Sequence, residues 1–128
     1  MSDVTPYVEG MRRRMAARET AEREAKCRAR EVVGRVVAGL RQRPGVRRVY
    51  LYGSLAYHHF HEGSDIDLAV EGASREELDA LARELDPDSP FPLDLRPFEQ
   101  FSPSFQQLIT EFGELLYDRS RDASGPPS

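Results

Sequence analysis

A single cysteine, Cys27, stands among 128 residues. No disulfide can form within such a chain, and a reducing, cytoplasmic setting is the expectation. That thiol sits in a helical stretch, where an inert structural role is expected rather than a nucleophile's. No run of about eighteen apolar residues occurs, so the sequence offers no membrane-spanning helix. Arg12-Arg13-Arg14 lies close to the N-terminus with no apolar segment behind it, and a signal peptide is likewise unsupported. Internal repeats are absent. The length suits one core and is short for two, so a single domain is expected over residues 1–118. The remainder, 119–128, ends in Ser-Gly-Pro-Pro-Ser and reads as a disordered tail.

Charge is present in quantity but unevenly placed. Residues 1–48 hold 13 Arg/Lys against 6 Asp/Glu, a balance of +7, whereas residues 49–128 hold 5 against 16, a balance of −11. A basic arm on an acidic body points to an acidic partner, although most such arginines simply solvate a helix face. Thr5-Pro6 reads as a helix start, with Thr5 as cap, and Pro44-Gly45 as its stop. A long N-terminal helix is therefore expected over residues 5–42. Ala25, Ala29, Val32, Val33, Val36, Val37 and Leu40 fall on one side, so the second half should pack on a sheet. The first half offers only Val8, Met11 and Met15 among many charges, which suits an arm covered by a partner or a second copy.

Three strands follow by alternation. Val46–Tyr52 sets Val49 and Leu51 on one face and Tyr50 and Tyr52 on the other. Asp65–Glu71 sets Ile66, Leu68 and Val70 opposite Asp65 and Asp67. Phe91–Pro97 sets Phe91, Leu93 and Leu95 opposite Asp94 and Arg96, and its prolines imply an edge position. Ser74-x-x-Glu77 is a capping box opening a helix over 75–85, with a turn-rich loop behind it at Asp86–Pro90. Ser102-Pro103 opens a last helix that Gly113 ends, with a small strand at Leu115–Tyr117.

The most informative stretch is Tyr52–Val70. Gly53-Ser54 follows the first strand directly, and ten residues later comes Asp65-Ile66-Asp67. A tight turn into a helix start presents backbone N–H groups which, with the Ser54 hydroxyl, suit a phosphate. Asp65 and Asp67, at i and i+2 of a strand, point to one face with Cα atoms about 6.5–7 Å apart. Oxygen ligands at that separation share a hard cation such as Mg²⁺. An anion cradle beside a carboxylate cation site is what a nucleoside triphosphate needs.

Gly-Ser, ten residues, then Asp-x-Asp resembles the signature of the DNA polymerase β nucleotidyltransferase superfamily. The wording of GSLA, FHEGSDIDLAVEG and the short chain resemble its minimal nucleotidyltransferases, the antitoxin partners in HEPN/MNT toxin–antitoxin pairs. The resemblance covers roughly Val46–Asp118. It implies an α/β (α+β) polymerase β-like fold, a small mixed sheet with helices mainly on one face. It also implies a third acid on a later strand, the place of Asp94, whose other reading is a solvent-facing strand residue.

Phosphoryl-transfer chemistry then assigns roles. Asp65, Asp67 and Asp94 would be the catalytic acids and hold two Mg²⁺ ions, Gly53 and Ser54 would hold the terminal phosphates of ATP, and Asp94 could accept the acceptor's proton. Relatives carry an arginine shortly after Gly-Ser. Leu55 and Tyr57 occupy that neighbourhood here, leaving Arg96 to bind the nucleotide or to pair with Asp94. His58, His59 and His61 lack a cysteine or paired-carboxylate frame and read as loop histidines rather than zinc ligands. The implied reaction is transfer of AMP to a hydroxyl, a tyrosine of a HEPN toxin by resemblance, with homo- or hetero-oligomers in prospect. Competing readings are an antitoxin that acts by binding alone, and a nucleotidyltransferase for RNA ends; the arm's lack of stacking platforms counts against nucleic acid.

Overall fold

Alternating burial builds the sheet. The structure, a computed structural model, describes residues 4–57, 60–85, 87 and 89–123. Strand β1 (Arg48–Tyr52) runs antiparallel to β2 (Ile66–Glu71) on one side and to β4 (Glu114–Asp118) on the other. β3 (Leu93–Pro97) lies parallel to β2 and forms an edge, giving the order β3-β2-β1-β4. An edge tolerates Pro97, which has no N–H to give to a further strand. The strand opens at Leu93 rather than Phe91, whose ring instead packs edge-on against Phe60 with centroids 4.9 Å apart.

The helices take both faces unequally. α1 (Thr5–Arg41) and α2 (Arg75–Leu85) cover the face of Val49, Leu51, Ile66, Leu68 and Val70 and enclose the main core with them. α3 (Pro103–Phe112) lies on the opposite face, where Ile109 meets Tyr50, Ala69 and Phe98 in a smaller cluster. Within α1 the buried residues are Ala25, Ala29, Val32, Val33, Val36 and Leu40. The small alanines let the helix approach closely. Its start differs from expectation: Val4 is the cap residue, without a side-chain bond, because the Val8 amide donates to the Val4 carbonyl at 3.0 Å and draws Thr5 into the helix. The capping reading holds for α2, where the Glu77 amide donates to Ser74 Oγ at 3.1 Å. It holds for α3 as well, where the Phe105 amide donates to Ser102 Oγ at 3.2 Å.

The expected tail begins too early. Arg119–Ala123 is a short helix, α4. Arg119 anchors it by donating from Nε to the Val46 carbonyl (3.0 Å) and from Nη2 to the Arg43 carbonyl (2.8 Å). Residues 124–128 lie outside the described residues, as do Asp86 and Asp88 of the turn-rich loop.

Candidate active site

The site face is the sheet face turned away from α1, at the end where β1 and β2 meet the Gly53 turn. Gly53 has φ +78°, a left-handed conformation that follows the last strand residue and reverses the chain. The Tyr57 amide then donates to the Gly53 carbonyl at 3.1 Å, closing one helical turn through Ser54. Glycine is needed here for a second reason. A Cβ at this position would stand 2.3 Å from Asp67 Oδ2, so the Asp67 carboxylate occupies the space that any other residue's side chain would fill.

Register supplies the neighbours. Asp67 is opposite Tyr52 on β1 and beside Asp94 on β3. Asp65 precedes β2 by one residue and is exposed, while Asp67 and Asp94 are half-buried. Burial, then the charges of Asp94 and Asp65, push the Asp67 carboxyl up to about 6; Arg96 offsets part of this. Burial beside Asp67 and Asp94 likewise pushes the Tyr52 phenol up to about 12. Arg96 Nε donates to Asp94 Oδ1 at 3.0 Å, so the arginine pairs with the third acid in this state of the site.

Asp67 and Asp94 are thus side by side, with Asp65 near enough to act on Asp67 through its charge. Among the described residues, no group of three or more His, Cys, Asp and Glu side chains is drawn together as a ready-made metal site. The chemistry of the pair nevertheless fits a hard divalent cation: adjacent carboxylates that repel one another, one held partly out of water, favour oxygen-seeking positive charge. His58 and His59 lie outside the described residues. His61 is exposed, and its Nδ1 accepts the Gly63 amide at 3.2 Å, a local turn contact.

Beside the Gly53 turn runs a groove that sequence reasoning passed over. Tyr52, Gly53, Tyr57, Phe105, Leu108, Ile109 and Phe112 enclose about 610 Å³. Phe105, Leu108 and Phe112 fall at i, i+3 and i+7 of α3, so helical periodicity carried the signal: Ile109 turns to the sheet while this stripe turns outward.

No curated protein matches the chain. Solved structures do. The chain aligns with a crystal structure described as a toxin–antitoxin with AMP-PNP, at 24% identity and a TM-score of 0.58, over 72% of this chain and 75% of that one. It aligns with an MntA-HpeT toxin–antitoxin complex bearing two Asp-to-Glu substitutions two positions apart, at 25% identity and TM-score 0.57, over 70% and 75%. It also aligns with a Tyr-to-Ala form of that complex, at 26% identity and TM-score 0.56, over 70% and 74%. The family model described as polymerase beta, nucleotidyltransferase matches residues 35–122. That span takes in all four strands, the Gly53 turn and the three aspartates, and leaves out residues 5–34 of α1, the whole exposed first half included. On that match, the chain belongs to the polymerase beta nucleotidyltransferase family.

Proposed function

We propose that this nucleotidyltransferase transfers AMP from ATP to a hydroxyl, a tyrosine of a HEPN-type toxin, and so acts as an antitoxin. The observation that carries the reading is the Asp67 carboxylate seated against Gly53 and next to Asp94. One turn thereby serves a phosphate and a carboxylate pair at once. The solved neighbours support the nucleotide and the partner, since one is described with AMP-PNP and all three as toxin–antitoxin structures.

In this reading the Ser54 hydroxyl and the backbone N–H groups after Gly53 hold the terminal phosphates. Asp67 and Asp94, with Asp65 beside them, would hold Mg²⁺, which would supply charge neutralisation for the triphosphate. Asp94 accepts the proton of the acceptor hydroxyl. The acceptor oxygen bonds to the α-phosphorus, the bond from that phosphorus to the β-bridging oxygen breaks, and pyrophosphate leaves. Arg96 keeps Asp94 aimed until the nucleotide arrives.

Incubation of the full chain with α-labelled ATP, Mg²⁺ and a HEPN toxin should place label on the toxin. The Asp67→Asn variant should fold, by circular dichroism, and transfer none. Label on RNA ends, or undiminished transfer by Asp67→Asn, would sink the proposal.

A further inference from the structure

Residues 4–21 of the chain are exposed, with Gly10 alone half covered. They carry Val4, Val8, Met11 and Met15, which are 61, 37, 41 and 57% exposed. The steps between these residues are four, three and four. Continued through Arg18 and Glu22, the same alternation lands on Ala25, Ala29, Val32 and Val36, all buried in the main core. A straight helix drifts by about 20° per heptad against this repeat, hence about 60° over the three heptads between the centres of the two stripes. Both stripes therefore lie on one side of α1. The arm carries the seam that packs on the sheet out past the edge of the body, where Arg18, Ala21 and Glu22 stand across from His61–Gly63. At about 1.5 Å per residue the overhang before Arg18 is roughly 21 Å long.

The flanks of the seam indicate what fits it. At about 100° per residue, Arg12 and Arg14 stand roughly 80° to either side of the stripe and Arg18 close along it. All are exposed, and among the described residues none of the three is in an ion pair. A second copy fits poorly. Parallel arms would set Arg18 against Arg18 within the seam. Antiparallel arms would meet over about one and a half heptads, far short of the ~1,200 Å² that a stable association buries, and would bring two basic segments together. Elsewhere on a second copy, α2 carries Glu76, Glu77 and Asp79 but buries Leu78 and Leu81. α3 exposes Phe105, Leu108 and Phe112 but has Glu111 as its sole acid.

We infer that the arm is a docking seam for an amphipathic helix of a different protein, one whose apolar ridge is flanked by carboxylates. The apolar stripe needs a partner's ridge, and the unpaired arginines need acids beside it. Single-stranded RNA would call for a row of stacking aromatics, and the arm has Tyr7 alone. The inference rests on α1 and is independent of the transfer reaction.

The test uses the full chain labelled at the methyl groups of its 3 methionines. Two synthetic helical peptides share a leucine seam and differ in Glu or Lys flanks; a uridine oligomer is the third probe. The Glu-flanked peptide should move the Met11 and Met15 signals and bind at least about tenfold tighter than the Lys-flanked one, and Arg12→Glu/Arg14→Glu should reverse that order. The inference is overturned if neither peptide moves those signals, if the flanks make no difference, if the uridine oligomer moves them instead, or if the free chain sediments as a dimer through the arm. Loss of nucleotidyl transfer has no bearing on any of these outcomes, so the two proposals fail separately.

Discussion

At the scale of single residues, Gly53 and Asp67 form one unit. Replacing Gly53 with alanine adds a Cβ 2.3 Å from Asp67 Oδ2 and imposes a φ of +78° on a residue that resists it. Gly53→Ala should lose about 1–2 kcal/mol of stability in urea unfolding. It should lose transfer by about a hundredfold, because a displacement of an ångström at a reacting group is enough for that. Asp67 makes a separate prediction about pH. Its folded carboxyl is pushed up to about 6 from the ordinary 3.8. Well below pH 3.8 the group is protonated in folded and unfolded chains alike. As pH rises from about 3.8 to about 6, ionisation is easier in the unfolded chain, and folded stability falls until both chains are ionised. In metal-free buffer Asp67→Asn should therefore gain on the natural chain between pH 4 and 6.5. The gain should be on the order of 1 kcal/mol, since the half-exposed carboxylate is screened by water. Parallel stability curves for the two proteins across that range would refute it. Alternation set Asp67 and Asp94 each opposite the apolar residues of its own strand, and the family resemblance pointed to Asp94 as the third acid. Neither could reveal that Asp67 fills the space over Gly53, which depends on the pairing of Tyr52 with Asp67.

At the scale of elements, the sequence was most legible where a cap or a period marks the boundary. Ser74 and Ser102 fix their helices through their hydroxyls, and Gly113 ends α3. Legibility fails where an element is held from far along the chain. α4 has no periodicity to announce it, and its first residue is secured by carbonyls 73 and 76 positions upstream. These two bonds tie α4 to the segment between α1 and β1. Arg119→Ala strips donors from two carbonyls in a part-buried site, so a loss of about 2 kcal/mol is expected in denaturant unfolding. Arg119→Lys should recover little, because one ammonium cannot reproduce the guanidinium's spread of donors. An alanine variant as stable as the natural chain would mean that α4 docks by other contacts.

At the scale of the whole molecule, the sequence showed which residues share a face but not which strands are neighbours. The adjacency of Asp67 and Asp94 arises because α2 carries the chain across one face and returns β3 parallel to β2. Placing those acids together has a consequence for the ligand. Residues 49–128 hold 16 Asp/Glu against 5 Arg/Lys, and Arg96, a cation at the site, already pairs with Asp94. A free triphosphate would therefore approach a face of its own sign. ATP affinity, measured by calorimetry, should be at least about tenfold weaker in EDTA than with Mg²⁺. Raising salt from about 50 to 500 mM should improve the metal-free binding, because screening relieves repulsion between like charges. An Asp67→Asn/Asp94→Asn variant should narrow the gap from both sides, binding metal-free ATP better and gaining less from Mg²⁺. Tight ATP binding in EDTA at low salt would show that the nucleotide avoids the carboxylate face, and the site would have to be sought elsewhere on the sheet.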